Sequence, residues 1–422
     1  MSAELGGLML ELGRRALEAA DALAGSSRER RDAALRAAAD ELRTRSGRIL
    51  SANALDLLAA ESAGLNRAML DRLRLDPDRI ESMAVGLEAI ASLPDPLGRI
   101  LEEKVRPNGL LIQRISVPLG VIGIIYESRP NVTADAGALC LKSGNAVILR
   151  GGSEAVNSNQ AIHACLVAGL VSVGLPAECI QRVPTQDREA VGYLLKGMTD
   201  YIDVIVPRGG KGLIARVREE ARVPVIGHLD GNCHVYVNAA ADVNVAREIV
   251  LNSKLRRTGI CGAAETVLFD RPILASHAEP IVAALLKAGC EVRGDEDIQS
   301  LDPRVLAATE EDWYTEYLDA IVAVRTVEGV EAAMKHIARY GSAHTESIVT
   351  TDQAVAELFL AGVDSAIVLH NASTQFADGG EFGMGAEIGI STDRFHARGP
   401  VGLEQLVSYK YVVRGQGQVR PH

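Results

Sequence analysis

The sequence predicts an α/β protein of two main domains, because buried apolar strands alternate with helices in two successive series, and a parallel sheet needs that alternation to bring each strand back. The palette agrees. Apolar residues make up 47% of the chain, yet there are only five Phe and one Trp, so the core is built from Ala, Val, Ile and Leu, which suit packed helices and buried parallel strands. At 422 residues the chain exceeds one ordinary core and has room for a cleft between domains.

From Leu8 to about Leu93, Ala, Leu and Arg recur at three- and four-residue spacing, which predicts several packed helices. Asp56 to Glu61 continues the pattern with its charges on the other face. Pro94-Asp95-Pro96-Leu97-Gly98 ends the helical run, and Lys104 to Ile115 reads as a hairpin around Asn108-Gly109. The first alternating series then has strands from Val121 to Tyr126, Ala146 to Arg150, Ile180 to Val183, Asp203 to Pro207 and Val223 to Gly227. Between them fall helices over Thr133 to Lys142, Ser158 to Val173, Arg188 to Lys196 and Lys211 to Glu220. Such a layout is of the nucleotide-binding type, with the loops after strand C-termini available for a ligand. After Asp230-Gly231-Asn232 the second series begins: strand His234 to Val237, helix Val243 to Asn252, strand Glu265 to Phe269, helix Ile273 to Ala288, strands near Ala320 and Ser347, and helix Val355 to Ala361. Val407 to Arg414 alternates like a strand but has no core of its own, and is expected to pair with the hairpin of the same or a neighbouring subunit.

A formal charge of −11 argues against a nucleic-acid or anionic-membrane surface and leaves a small molecule as the expected partner. No uncharged apolar run approaches the roughly 20 residues that a spanning helix needs. The start of the chain lacks the charged residues and apolar run of a signal peptide. Cysteines at 140, 165, 179, 233, 261 and 290 show no paired short spacing, so reduced thiols in a cytoplasm are expected.

Cys140 and Cys165 lie within apolar helical runs and Cys290 closes one, so all three read as core residues. Cys261 differs. Arg256-Arg257-Thr258-Gly259-Ile260-Cys261-Gly262 sets it in a loop between glycines, with two cations upstream that favour thiolate. It is either a nucleophile or an inert small residue. Asn131 lies between a buried strand and a helix; the residues favour a helix cap, the alternative being an amide donor to a developing oxyanion. Arg150, Ser153 and Glu154 end the next strand in a polar glycine-containing loop that suits the ribose or phosphate of a nucleotide, as many α/β loops do. Gly209 and Lys211 belong to a strand-to-helix turn with two cations, open to a phosphate or simply tight. His228, Cys233 and His234 match no common zinc spacing, and the last two begin a strand on opposite faces, so no metal is expected.

Taken in order, these clusters resemble the aldehyde dehydrogenase superfamily, and their wording is similar to its gamma-glutamyl phosphate reductase branch over nearly the whole chain. The strings that carry the resemblance are Ser128-Arg129-Pro130-Asn131-Val132-Thr133, Arg257-Thr258-Gly259-Ile260-Cys261, Asp312-Trp313-Tyr314-Thr315-Glu316-Tyr317-Leu318 and His396-Ala397-Arg398-Gly399-Pro400-Val401-Gly402-Leu403. The resemblance implies an aldehyde-dehydrogenase-like fold: a Rossmann-type cofactor domain over residues 1–103 and 120–228, an α/β catalytic domain over 229–390, and a small β oligomerisation flap from 104–119 and 404–422. It makes Cys261 the catalytic thiol, gives the oxyanion to Asn131 and the Cys261 N–H, puts Glu316 near the nicotinamide ribose and turns Arg150, Ser153 and Glu154 toward the adenosine end.

Two departures are informative. Oxidising members carry a glutamate well upstream of the cysteine to activate water, whereas the comparable stretch here is Gly227-His228-Leu229-Asp230-Gly231; a reductase needs no such base. Gly262 stands where the branch usually carries Asn. The implied reaction is reduction of L-glutamyl 5-phosphate by NADPH to glutamate 5-semialdehyde, through a cysteine thioester, in proline synthesis. Arg256, Arg257 and Arg398 are candidate cations for the phosphate and α-carboxylate. A homo-oligomer, and delivery of the substrate from glutamate 5-kinase, are further implications. The rivals are a superfamily enzyme acting on acyl-CoA or a free aldehyde, and a binding protein that keeps the fold without turnover.

Overall fold

The structure, a computed structural model, describes residues 3–420. The chain forms two compact units, one of Met1–Gly227 with Gly383–Gly389 and Val401–His422, the other of His228–Phe382 with Ile390–Pro400.

The first unit opens on five helices: α1 (Ala3–Ala24), α2 (Arg28–Thr44), α3 (Ser46–Ser62), α4 (Arg67–Leu73) and α5 (Pro77–Ser92). Their starts are written in the sequence, since Ser27, Asn66 and Asp76 each cap the following helix with a side-chain oxygen and Pro77 opens α5. Strands β1 (Ile100–Val105) and β2 (Leu111–Pro118) then form the expected antiparallel hairpin, with Gly109 at φ 85 in its turn. Next come β3 (Val121–Tyr126), α6 (Asn131–Lys142), β4 (Ala146–Gly151), α7 (Val156–Ser172), β5 (Ile180–Arg182), α8 (Glu189–Gly192), β6 (Val204–Arg208) and α9 (Lys211–Glu220). The four strands are parallel in the order β5-β4-β3-β6, and every residue of β3 is buried, as a central parallel strand requires.

The second unit holds β7 (Cys233–Val237), α10 (Val243–Leu255), β8 (Ala264–Asp270), α11 (Glu279–Lys287), β9 (Glu291–Gly294), α12 (Glu296–Gln299), β10 (Leu306–Ala307), β11 (Ile321–Val327), α13 (Gly329–Tyr340), β12 (Thr345–Val349), α14 (Gln353–Gly362) and β13 (Ile367–His370). Its seven parallel strands run in the order β10-β9-β11-β8-β7-β12-β13 over a core that includes Val235, Val267, Phe269, Ile281 and Val324. Short strands β14 (Ile390–Ser391) and β15 (Gly399–Pro400) pair antiparallel. The chain finally re-enters the first unit as β16 (Val407–Arg414), which pairs antiparallel with β2 of the same chain and so extends the hairpin to three strands.

Four expectations are corrected. Val223 to Gly227 is not a strand but a single bridge between Ile205 and Val225, because Pro224 has no N–H to continue a ladder. The helix expected from Ile273 to Ala288 starts as a 3-10 turn and a π turn and becomes α-helical at Glu279, since Pro280 offers no N–H to the preceding turn. The helix expected over Arg188 to Lys196 is a single α turn, α8, run into a π turn over Tyr193–Gly197. Asp56, expected on a solvated face, is 2% exposed while its neighbours Leu55 and Leu58 are 59% and 63% exposed. Its carboxylate accepts from the amides of Asn157 (3.2 Å) and Ser158 (2.8 Å) and from the Ser158 hydroxyl (2.6 Å), capping the first turn of α7 from outside. No helix among the described residues is long and apolar enough to cross a membrane.

Candidate active site

In the second unit the chemistry gathers at one edge of the sheet, at the N-terminal ends of neighbouring strands. β8, β7 and β12 lie side by side, so the loop residue Cys261 before β8, Gly231 before β7 and His344 before β12 arrive together although the sequence separates them widely. The approach is close. A Cβ on Gly231 would fall 2.1 Å from the Cys261 carbonyl oxygen and 2.7 Å from its Cα, so only glycine lets the two backbones pass. The Gly231 amide donates to Glu316 Oε1 (2.9 Å), which ties Glu316 to the same place. Burial pushes the Glu316 carboxyl above its ordinary range, the Gly231 amide opposes that, and the charge of Cys261 adds to it. Gly262 packs on the other side, where a Cβ would meet the Thr374 carbonyl at 3.1 Å.

Two histidines flank the thiol. His228 Nδ1 lies 2.6 Å from the Ile390 carbonyl, and since a carbonyl only accepts, Nδ1 carries the proton. His344 is wholly buried, with Nδ1 2.8 Å from Thr345 Oγ1 and 3.5 Å from Cys233 Sγ. The rings meet edge to face at 4.8 Å. Burial works against a thiolate at Cys261, but the charge of His344 and the close approach of the His344 and His228 rings overcome it and hold the thiol well below its ordinary range. The other cysteines go the opposite way: burial pushes Cys165 up to about 11, Cys179 and Cys290 up to about 12, and raises Cys140 and Cys233 as well. Sequence reasoning credited Arg256 and Arg257 with favouring the thiolate; the groups that do so are the histidines, and Arg256 instead donates to Gln375 (3.3 Å).

Arg398 is held by Asp364, through Oδ1 at 2.7 Å and the backbone carbonyl at 3.0 Å. The grouping of His228 with Cys233 and His234 does not form: His234 Nδ1 bonds Glu346 Oε2 at 2.9 Å and both side chains are fully buried. Deeper still, Lys254 and Glu265 pair at 2.5 Å with no exposure, and burial lifts the Glu265 carboxyl to about 7. His344 escaped the sequence reading, and Gly231 entered it only within the turn before the second series, because neither spacing nor composition marks them as part of a site.

The remaining candidates lie in the first unit, at the C-terminal ends of β3, β4 and β6. Asn131 is not the cap expected of it: Pro130 holds that position with helical φ and ψ, the next two amides bond to the carbonyls of Arg129 and Pro130, and Asn131 Nδ2 donates to Asp135 (2.9 Å). Burial raises the Asp135 carboxyl to about 6 against that bond. The Arg150 guanidinium folds onto the carbonyls of Gly151 (3.1 Å) and Gln186 (3.3 Å), Ser153 is exposed, and Glu154 accepts from the amide and hydroxyl of Ser128, whose φ of 48 needs that support. Gly209 leads into α9, Lys211 is its first residue, and the Gly210 amide at the cap is already taken by Glu127 (3.0 Å).

The family description "aldehyde dehydrogenase family" matches residues 11–301. The gamma-glutamyl phosphate reductase of Parvibaculum lavamentivorans is 64% identical over 414 residues, 98% of either chain, and that of Paramagnetospirillum magneticum is 62% identical over 420 residues, covering 100% of this chain and 99% of its own. The crystal structure of gamma-glutamyl phosphate reductase from Thermotoga maritima superposes with a TM-score of 0.95 at 44% identity, over 98% of this chain and 100% of that one. With this architecture and these similarities, the chain belongs to the aldehyde dehydrogenase family, in its gamma-glutamyl phosphate reductase branch.

Proposed function

We propose that the chain reduces L-glutamyl 5-phosphate to L-glutamate 5-semialdehyde and phosphate with NADPH, through a thioester on Cys261, as the second step of proline biosynthesis. One observation carries the reading at the chemical level: the Cys261 thiol lies within 4.8 Å of ring nitrogens of His228 and His344, which hold it below its ordinary range, in a chain 64% identical to a named gamma-glutamyl phosphate reductase. The thiolate attacks the acyl carbon, the acyl–oxygen bond breaks and phosphate leaves. The Cys261 N–H and the Asn131 amide are assigned to the oxyanion. Collapse of the reduced adduct returns the thiolate, with no water-activating carboxylate at the position of His228 to divert the thioester to hydrolysis.

The aldehyde dehydrogenase family works with NAD(P). The first unit fits a dinucleotide on its own topology: strand order reverses between β3 and β6, and the loops that follow them carry Glu127, Gly209 and Gly210. Gly209, Lys211, Arg150, Ser153 and Glu154 would hold the cofactor in that unit, and Glu316 is assigned to the ribose. When bound, the nicotinamide supplies the hydride that takes the acyl group to the aldehyde level. Arg256, Arg257 and Arg398 are assigned to the substrate's anionic groups. We place the enzyme in the cytoplasm, with all six cysteines free, as a homo-oligomer that receives its unstable acyl phosphate from glutamate 5-kinase.

The test runs the reaction backwards with NADP+, glutamate semialdehyde and phosphate. Reduction of NADP+ that requires phosphate and is lost in Cys261→Ala is the expected result. Turnover without phosphate would mean a hydrolytic dehydrogenase, and activity surviving in Cys261→Ala would end the covalent route.

A further inference from the structure

His228, Cys261 and His344 each bring one candidate ligand atom to within 4.8 Å of the others. Their outer contacts suit more than catalysis. His228 gives its Nδ1 proton to the Ile390 carbonyl at 2.6 Å, which leaves Nε2 as the lone-pair nitrogen of the neutral ring. A backbone carbonyl behind an imidazole is the outer support that metal-bound histidines usually have. His344 engages Nδ1 with Thr345 and Cys233, and its Nε2 is a buried ring nitrogen with no hydrogen-bond partner. A buried unpartnered nitrogen costs free energy that a ligand would recover. Ala343, at φ 59, fixes the backbone that presents His344, and Gly231 fixes Cys261.

We propose that His228, Cys261 and His344 form a binding site for a borderline-soft divalent cation, Zn2+ or Co2+, with three protein ligands and an open fourth position. Two imidazoles and one thiolate are a donor set such ions take, and three ligands with one vacancy is the arrangement of an accessible rather than a structural centre. A tetrahedral ion with bonds of about 2.0 Å to nitrogen and 2.3 Å to sulfur wants its ligand atoms about 3.5 Å apart, so the group must contract by about 1 Å, which small side-chain rotations supply. Magnesium and calcium, which take oxygen ligands, are excluded by the same donor set. Because the ion competes with protons for thiolate and imidazole, its affinity falls as the pH is lowered. Bound there, the metal occupies the sulfur lone pair and blocks acyl transfer. That inhibition rests on Cys261 being the nucleophile; the binding does not.

The test titrates chelator-treated full-length protein with Co2+ and reads the thiolate-to-cobalt charge-transfer absorption, then displaces Co2+ with Zn2+. The expected result is a band saturating at one equivalent, lost in Cys261→Ser and retained in Cys233→Ser. Loss of an outer-shell partner alone weakens metal sites by about ten- to a hundredfold, so His228→Asn and His344→Asn, each checked for folding by its melting curve, should weaken binding by on the order of a hundredfold or more. No band in the folded wild-type protein, or a band unchanged in both histidine variants, overturns the site. Equimolar Zn2+ should also stop phosphate-dependent turnover and a chelator restore it. A Cys261-dependent band with full turnover would uphold the metal site and remove Cys261 from the catalysis.

Discussion

At the scale of single residues, what distinguishes Cys261 from five other cysteines is its neighbours, not its exposure alone. All five others are buried and raised by desolvation, whereas Cys261 is partly exposed and held down by two imidazoles. The sign gives a testable pH dependence. A thiol whose folded value lies below the ordinary ~8.5 remains thiolate as the pH falls through that value, and loses reactivity only below its own midpoint. Alkylation of Cys261 by iodoacetamide should therefore stay near its plateau rate down to neutral pH. In His344→Gln the midpoint rises, and the rate at pH 7 should drop about tenfold for each pH unit by which the new midpoint exceeds 7. A wild-type profile with an ordinary thiol midpoint would refute the pairing. The sequence placed Cys261 in a loop because the glycines on both sides of it mark such a loop locally. It could not show His344, whose proximity comes from strand order.

At the scale of elements, the helical opening was legible because caps and periodicity are local signals, but the facing of α3 was not. Asp56 sits on the buried side because α7 needs an acceptor for its first amides, a demand that arises only when the two helices pack. Asp56→Ala should lower stability by about 2–4 kcal/mol, through lost charge-assisted bonds and stranded amides, read as a shift of the urea midpoint with little change in slope. An unchanged midpoint would mean that water replaces the carboxylate. Strands followed the same rule. β3 was visible as an apolar run because a strand buried on both faces is mostly apolar, and β8 through its Val267-Leu268-Phe269 stretch although it also buries Glu265 and Asp270, whereas the short β9, β10 and β13 lack enough length to stand out.

At the scale of the whole molecule, β16 crosses from the end of the chain to β2 and leaves Tyr409, Tyr411 and Val413 on one face, 49%, 60% and 54% exposed. An apolar row on a three-stranded sheet supports the proposed self-association, and Tyr411→Asp should lower the mass seen by light scattering while barely moving the melting temperature. An unchanged mass would place any subunit contact elsewhere. By itself the sequence determined the fold class and the order of most elements, and singled out Cys261 among the six cysteines, because burial periodicity, turn residues and contiguous motifs act over a few neighbours. Only the tertiary structure decided what surrounds that thiol. Parallel pairing of β8, β7 and β12 aligns the starts of strands that lie far apart in the chain, and no local pattern encodes which strand will be next to which.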